Sequence, residues 1–133
     1  MRKSFILLWL LVPLAAAAYH YGPGQDKLRA DEVAGHIARA KAHLAAEEFS
    51  EAVTAFDQAI SEMPPDNTQA IPRLRLEKAK AQMQCSGLPQ AHKDLVSLLD
   101  DLGENAGASP ELIAETRSTL ANAQYYMTWL LRL

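Results

Sequence analysis

AKAHLAAEEFSEAVTAFDQAISEMP, residues Ala40 to Pro64, decides the fold. Phe49, Ala52, Val53, Phe56, Ala59, Ile60 and Met63 recur every three or four residues and so line one side of a helix. Glu51, Thr54, Asp57, Gln58, Ser61 and Glu62 fall mostly on the other side. Pro64 and Pro65 have no backbone N–H to donate, and they stop the helix. Upstream, Ile37, Ala40 and Leu44 form a second apolar stripe. It breaks at Glu47 and Glu48, too close to Phe49 for anything but a tight reversal. Two antiparallel helices facing each other through alanines are expected.

Beyond this hairpin, PPDNTQAIP is a polar link in which Asn67 or Thr68 is placed to cap the next helix and Pro72 falls in its first turn. That helix runs from about Ala70 to Cys85, with Leu76, Ala79 and Met83 as its stripe and Leu74 beside them. Ser86 and Gly87 break it, and Leu88 to Leu102 gives another helix bearing Ala91, Leu95, Leu98, Leu99 and Leu102. Laid over the first hairpin, Ala79 falls on Ala40, Leu88 on Phe49, Ala91 on Ala52, Leu95 on Phe56 and Leu98 on Ala59. After the loop GENAGASP, Ser109, Pro110 and Glu111 supply a cap, a first-turn proline and an acid near the positive end of a fifth helix. It carries Leu112, Ile113, Thr116, Leu120, Ala123, Met127, Leu130 and Leu131, and LANAQYY within it reads as the first half of a third hairpin. The partner half is missing, and the sequence stops at WLLRL without a polar end, although repeat arrays normally finish on a polar face. Either Leu133 marks a truncation or this helix docks on the earlier hairpin or on another chain. Truncation is the favoured expectation, because a terminus exposing Trp129, Leu130 and Leu131 invites association.

The pattern resembles the tetratricopeptide repeat, a module of two antiparallel helices marked by small residues at the helix crossing and aromatics at fixed offsets. Ala40 matches the small residue of the first helix and Phe49 the aromatic at the turn. Ala52, Phe56, Ala59 and Pro64 match the alanine, aromatic, second small residue and terminating proline of the second helix. His36, Arg39 and Glu47 depart from it, standing where tryptophan, leucine and glycine are usual. The spacing from Ala40 to Ala79 also exceeds the family's roughly 34 residues, the surplus lying in the proline- and asparagine-containing link. The resemblance implies an all-α fold of antiparallel helical hairpins stacked as a short solenoid, about two and a half repeats over residues 30–133. It also implies a concave groove, lined by the first helices, that receives a peptide or protein. Here it points to Ile37, Lys41, Leu44, Arg73, Leu76, Lys80, Met83, Asn122, Tyr125 and Tyr126. Lys41, Lys80 and Asn122 take equivalent places in this alignment. Such a row would hold an acidic segment or a free carboxylate while Leu76, Met83 and Tyr126 give apolar contact. The same lysines also read as the wet face of ordinary helices, and the two tyrosines as core for an absent helix.

The first residues, MRKSFILLWLLVPLAAAAYHYGPGQ, differ in kind. Arg2 and Lys3 precede an apolar run from Phe5 to Leu14, interrupted by Pro13, and Ala15 to Ala18 offers small residues for a signal peptidase. Cleavage after Ala17 or Ala18 would export the chain to a periplasmic or extracellular location. The alternative is an uncut anchor in the inner membrane. The run is short of the ~20 residues that span comfortably, yet Trp9, Tyr19 and Tyr21 suit an interface. Residues 1–18 are thus read as signal or anchor, 19–29 as linker and 30–133 as the repeat domain.

At 133 residues, 49% hydrophobic and net charge −3, the chain has the size of one domain, and its balance points away from nucleic acid. Cys85 is the one cysteine and cannot close an internal disulfide. His36, His43 and Glu47 could share a helix face, but they lack the closer spacing of HExxH or CxxC sites, so no metal is expected. No haem-attachment motif, phosphate-cradling glycine loop or GxSxG elbow occurs, and no enzyme activity or cofactor is expected. A protein-binding scaffold follows, touching membrane only through its N-terminal segment. The competing reading is a structural segment of a larger envelope complex, assembled through the apolar C-terminal helix.

Overall fold

The chain is helical where its apolar residues recur at intervals of three and four. A computed structural model describes residues 23–64, 67, 69–130 and 132, with Val12, Pro13, Ala17 and Tyr19 ahead of them. The signal or anchor reading therefore falls almost wholly outside the described residues, as do Pro65, Thr68, Leu131 and Leu133. Among the described residues there is no strand, and the elements run α1 Pro23–Ala45, α2 Phe49–Glu62, α3 Ala70–Gln84, α4 Leu88–Glu104 and α5 Pro110–Leu130.

Each reversal has a local cause. Between α1 and α2, the Glu47 N–H donates to the Leu44 carbonyl at 3.2 Å and the Glu48 N–H to the His43 carbonyl at 2.9 Å. This paired closure of a helix end needs a left-handed residue, and Glu47 supplies it with φ of 60°. Ahead of α3, two residues before its N-cap Gln69, the Asn67 side-chain oxygen accepts the Ala70 N–H at 3.2 Å and the Asn67 carbonyl the Ile71 N–H at 3.3 Å. At the α3–α4 turn a Cβ on Gly87 would lie 3.1 Å from the Gln82 carbonyl oxygen, a tight approach that the bare glycine avoids. Ser109 opens α5, its hydroxyl facing the Leu112 N–H at 3.4 Å and its carbonyl accepting the Ile113 N–H at 3.1 Å.

One boundary departs from the sequence reading. Residues 19–29 read as linker, but α1 starts at Pro23 and is 23 residues long. Proline loses nothing at the first position of a helix, where the N–H has no intrahelical partner, and Lys27 to Ala30 favour the helix. Lys27 to Glu32 are exposed, and burial among the described side chains of α1 begins at Val33.

Consecutive helices pack against each other, and α3 also touches α5, so α1–α2 and α3–α4 stack as successive antiparallel hairpins with α5 beginning a third. The aligned positions of the two hairpins do share burial. Ala40 with Ala79, Ala52 with Ala91, Phe56 with Leu95 and Ala59 with Leu98 are all in the core. Two clusters result. Val33, Ala40, Phe56, Ala59 and Leu74 gather in the first, and Leu76, Ala79, Leu95, Leu98, Leu112 and Ala123 in the second. Because α3 feeds both, it is covered on two sides: Ala81 and Gln82 are buried besides Leu74, Leu76 and Ala79, while Met83 of the predicted stripe is half-buried.

A polar seam ties α3 to its neighbours. Arg75, Lys78 and Gln82, one to two turns apart, run antiparallel to Asp101, Ser97 and Asp94 of α4. Arg75 reaches both Asp101 and Ser97, Gln82 donates to Asp94 at 3.1 Å, and Lys78 lies 3.5 Å from Asp94 and 2.7 Å from Asp57 of α2. Exposed pairs of this kind contribute about 0–1 kcal/mol each. Their larger effect is register, since a slip would oppose unlike groups.

Candidate functional site

The residues drawn from the first helices of the array do not form one surface. Ile37 and Leu44 are half-buried and pack on the first core cluster. Lys41 of α1 and Arg73 of α3 are exposed. Leu76 is not a contact residue: it is 1% exposed, inside the second cluster. The stripe that identifies a helix's inward side was read in part as a groove wall, and at Leu76 the core claims it.

Lys80 also differs from the expectation of an open cation. Its ammonium lies 2.8 Å from the Glu77 carboxylate and 2.6 Å from that of Glu115, so it closes α3 onto α5. Burial by itself would lower its pKa, but the hydrogen bonds to Glu115 and Glu77 and their charges outweigh this and hold it above the ordinary lysine value. A carboxylate arriving from outside would meet a lysine already paired twice.

Asn122 is exposed, but it does not continue the row of Lys41 and Lys80. Those lysines follow the buried Ala40 and Ala79, and in α5 the fully buried alanine is Ala123, with Ala121 exposed. Both alanines of LANA offer a small residue at the crossing, and only packing selects between them.

Met83 and Tyr126, in contrast, are brought together. They line an open groove of about 620 Å³ with Gln84, Cys85, Ser86, Leu88 and Pro89 of the α3–α4 turn and Trp129 and Leu130 of α5. Trp129 and Leu130 are each 55% exposed. Tyr125, at 68%, lies beside the groove with its ring edge-on to that of Tyr126, centroids 5.8 Å apart. No Asp, Glu, Lys or Arg occurs from Ala81 to Ala91 or from Ser118 to Leu130, so the lining carries no formal charge. Sequence reasoning placed Met83 and Tyr126 on a binding face and took the exposure of Trp129 and Leu130 as a reason to expect truncation. It missed Leu88 and Pro89, for which the two charge-free runs were the available signal.

The histidines are engaged separately. His36 Nε2 lies 3.1 Å from Glu62 and its Nδ1 accepts from Arg39 at 2.7 Å, whereas His43 Nδ1 pairs with Glu48 at 2.7 Å. Among the described residues no group of three or more histidine, cysteine, aspartate or glutamate side chains is placed to hold a metal. A hollow of about 440 Å³ around His92, Lys93, Val96 and Asp100 is walled by α4 alone and brings no groups together from different elements. No family model, curated protein or solved structure matches the chain.

Proposed function

We propose that the protein is a non-catalytic protein–protein interaction scaffold, a tetratricopeptide-like helical array that receives an apolar helical segment in the groove between the α3–α4 turn and α5. The observation that supports this is the gathering of Tyr126, Trp129 and Leu130 around Met83 and Leu88 in one uncharged groove. Exposed apolar clusters mark interaction sites, and tryptophan and tyrosine dominate binding energy where they can be fully desolvated. An amphipathic helix laid into such a groove would present apolar anchors at intervals of three and four residues. An acidic partner finds less support, because Lys80 holds its own two carboxylates. The basic and apolar start of the chain supports a location outside the cytoplasm or at the inner membrane. Among the described residues no helix is long and apolar enough to cross a membrane.

The test is a photo-crosslinking residue, p-benzoylphenylalanine, introduced at Tyr126 and separately at Gln58 on the exposed side of α2, and activated in producing cells. Discrete protein adducts are expected from position 126 and none from position 58, and Leu130→Glu should abolish them with helicity unchanged. Equal yields at both positions, or none at 126, would remove the reading.

A further inference from the structure

We infer that the occupant of the groove is a second copy of this chain, the two α5 helices crossing about a two-fold axis so that Trp129 of each copy enters the groove of the other. This rests on the reading of the groove as a docking surface and adds what fills it.

Charge is the first argument. A two-fold contact sets residues near the axis beside their own counterparts, so any charge there faces its like at close range. The groove and the α5 face beside it are free of charge over Ala81 to Ala91 and Ser118 to Leu130. Shape is the second. A self-complementary patch must hold both a projection and a hollow, and here half-exposed Trp129 and Leu130 stand at the rim of the 620 Å³ groove. Area is the third. An aromatic side chain buries roughly 150–250 Å². Tyr125, Tyr126 and Trp129 are more than half exposed, so with Leu130 they offer about 400 Å² per copy. Two copies with their groove walls come to roughly 1,000 Å², the lower bound for a specific interface and the size of a weak, concentration-dependent dimer. The contact closes on itself, so assembly stops at a dimer.

The test is sedimentation of the full chain in a mild nonionic detergent over a wide concentration range, for the wild type and for Trp129→Lys and Trp129→Glu. The wild type is expected to dimerise. Each variant alone should associate roughly a hundredfold more weakly or worse, having lost the anchor and set like charges across the axis. An equimolar mixture of the two should regain a dimer. The side chain is half exposed, so folding should survive, and circular dichroism checks it; Tyr126→Lys with Tyr126→Glu is the second pair. A monomeric wild type overturns the inference, as does a dimer indifferent to both substitutions, which would place association elsewhere, for instance in the apolar N-terminal run. If the wild type is monomeric but position 126 still crosslinks to a different protein, only the occupant is wrong. If neither dimer nor adduct forms, the groove reading falls as well.

Discussion

Glu47 occupies the left-handed conformation, at φ of 60°, in which a side chain crowds its own backbone. The tetratricopeptide pattern that the sequence resembles commonly has glycine there, the residue that takes this conformation without a steric penalty. Glu47→Gly relieves the crowding while loosening the unfolded chain, for a net gain of up to about 1 kcal/mol. Thermal unfolding followed by circular dichroism should show the midpoint rise by several degrees; a lower midpoint would contradict the assignment. At the start of α5, the Ser109 hydroxyl donates to the Glu111 carboxylate, and with the residue's own backbone N–H this lowers the Glu111 pKa below its ordinary 4.5. A lowered folded-state pKa gives stability that is present above the unfolded value and lost as pH falls through the folded one. Glu111→Gln should therefore lower stability slightly at neutral pH and leave it unchanged at acid pH, so that the acid-side decline is reduced, which urea titrations across the acid range would show.

The helices differ in how far the sequence reveals them. The stripes of α2 and α4 each face one core cluster, and their three- and four-residue spacing was enough to place them. The stripe of α3 was read incompletely because α3 is covered on two sides, with Leu74 in one cluster and Leu76 in the other. A helix buried twice has no single period. Clusters linked only through α3 also predict uneven failure. Phe56→Ala should cost about 3–5 kcal/mol and Leu95→Ala about 2–5 kcal/mol. In a stacked array the loss falls first on the damaged hairpin. Hydrogen exchange of Phe56→Ala should show α1 and α2 opening while α4 and α5 keep their protection, and uniform loss would argue for a single cooperative unit. Lys80, tied to Glu77 and Glu115, has a raised pKa despite the opposing effect of burial. A raised value gives stability that is full below the ordinary 10.5 and lost as pH rises through the folded value. Lys80→Met should remove that alkaline dependence and increase exchange in α5; an unchanged alkaline limb would show that the tie does not hold the helices.

Across the whole molecule, the array was evident from the match of one hairpin to the next, and the groove was not. Met83 and Trp129 become neighbours only once α5 is laid against α3, and no spacing along the chain encodes that meeting. The resemblance instead pointed to a row of Lys41, Lys80 and Asn122 with Leu76 as apolar contact, and in the fold Leu76 is buried, Lys80 is paired and Ala123 stands where Ala121 was aligned. What is left is the apolar groove between the α3–α4 turn and α5, which the proposed partner would cover. Cys85 lines it and is the only cysteine of the chain, which makes its reactivity a direct report on that cover. The deciding measurement is the rate of Cys85 alkylation by N-ethylmaleimide, read by intact mass, in producing cells and in dilute purified protein. If the groove is a docking site, labelling in cells should be several-fold slower than in dilute solution, and Trp129→Lys should abolish the difference. Equal rates for the wild type in both settings would mean that nothing docks there.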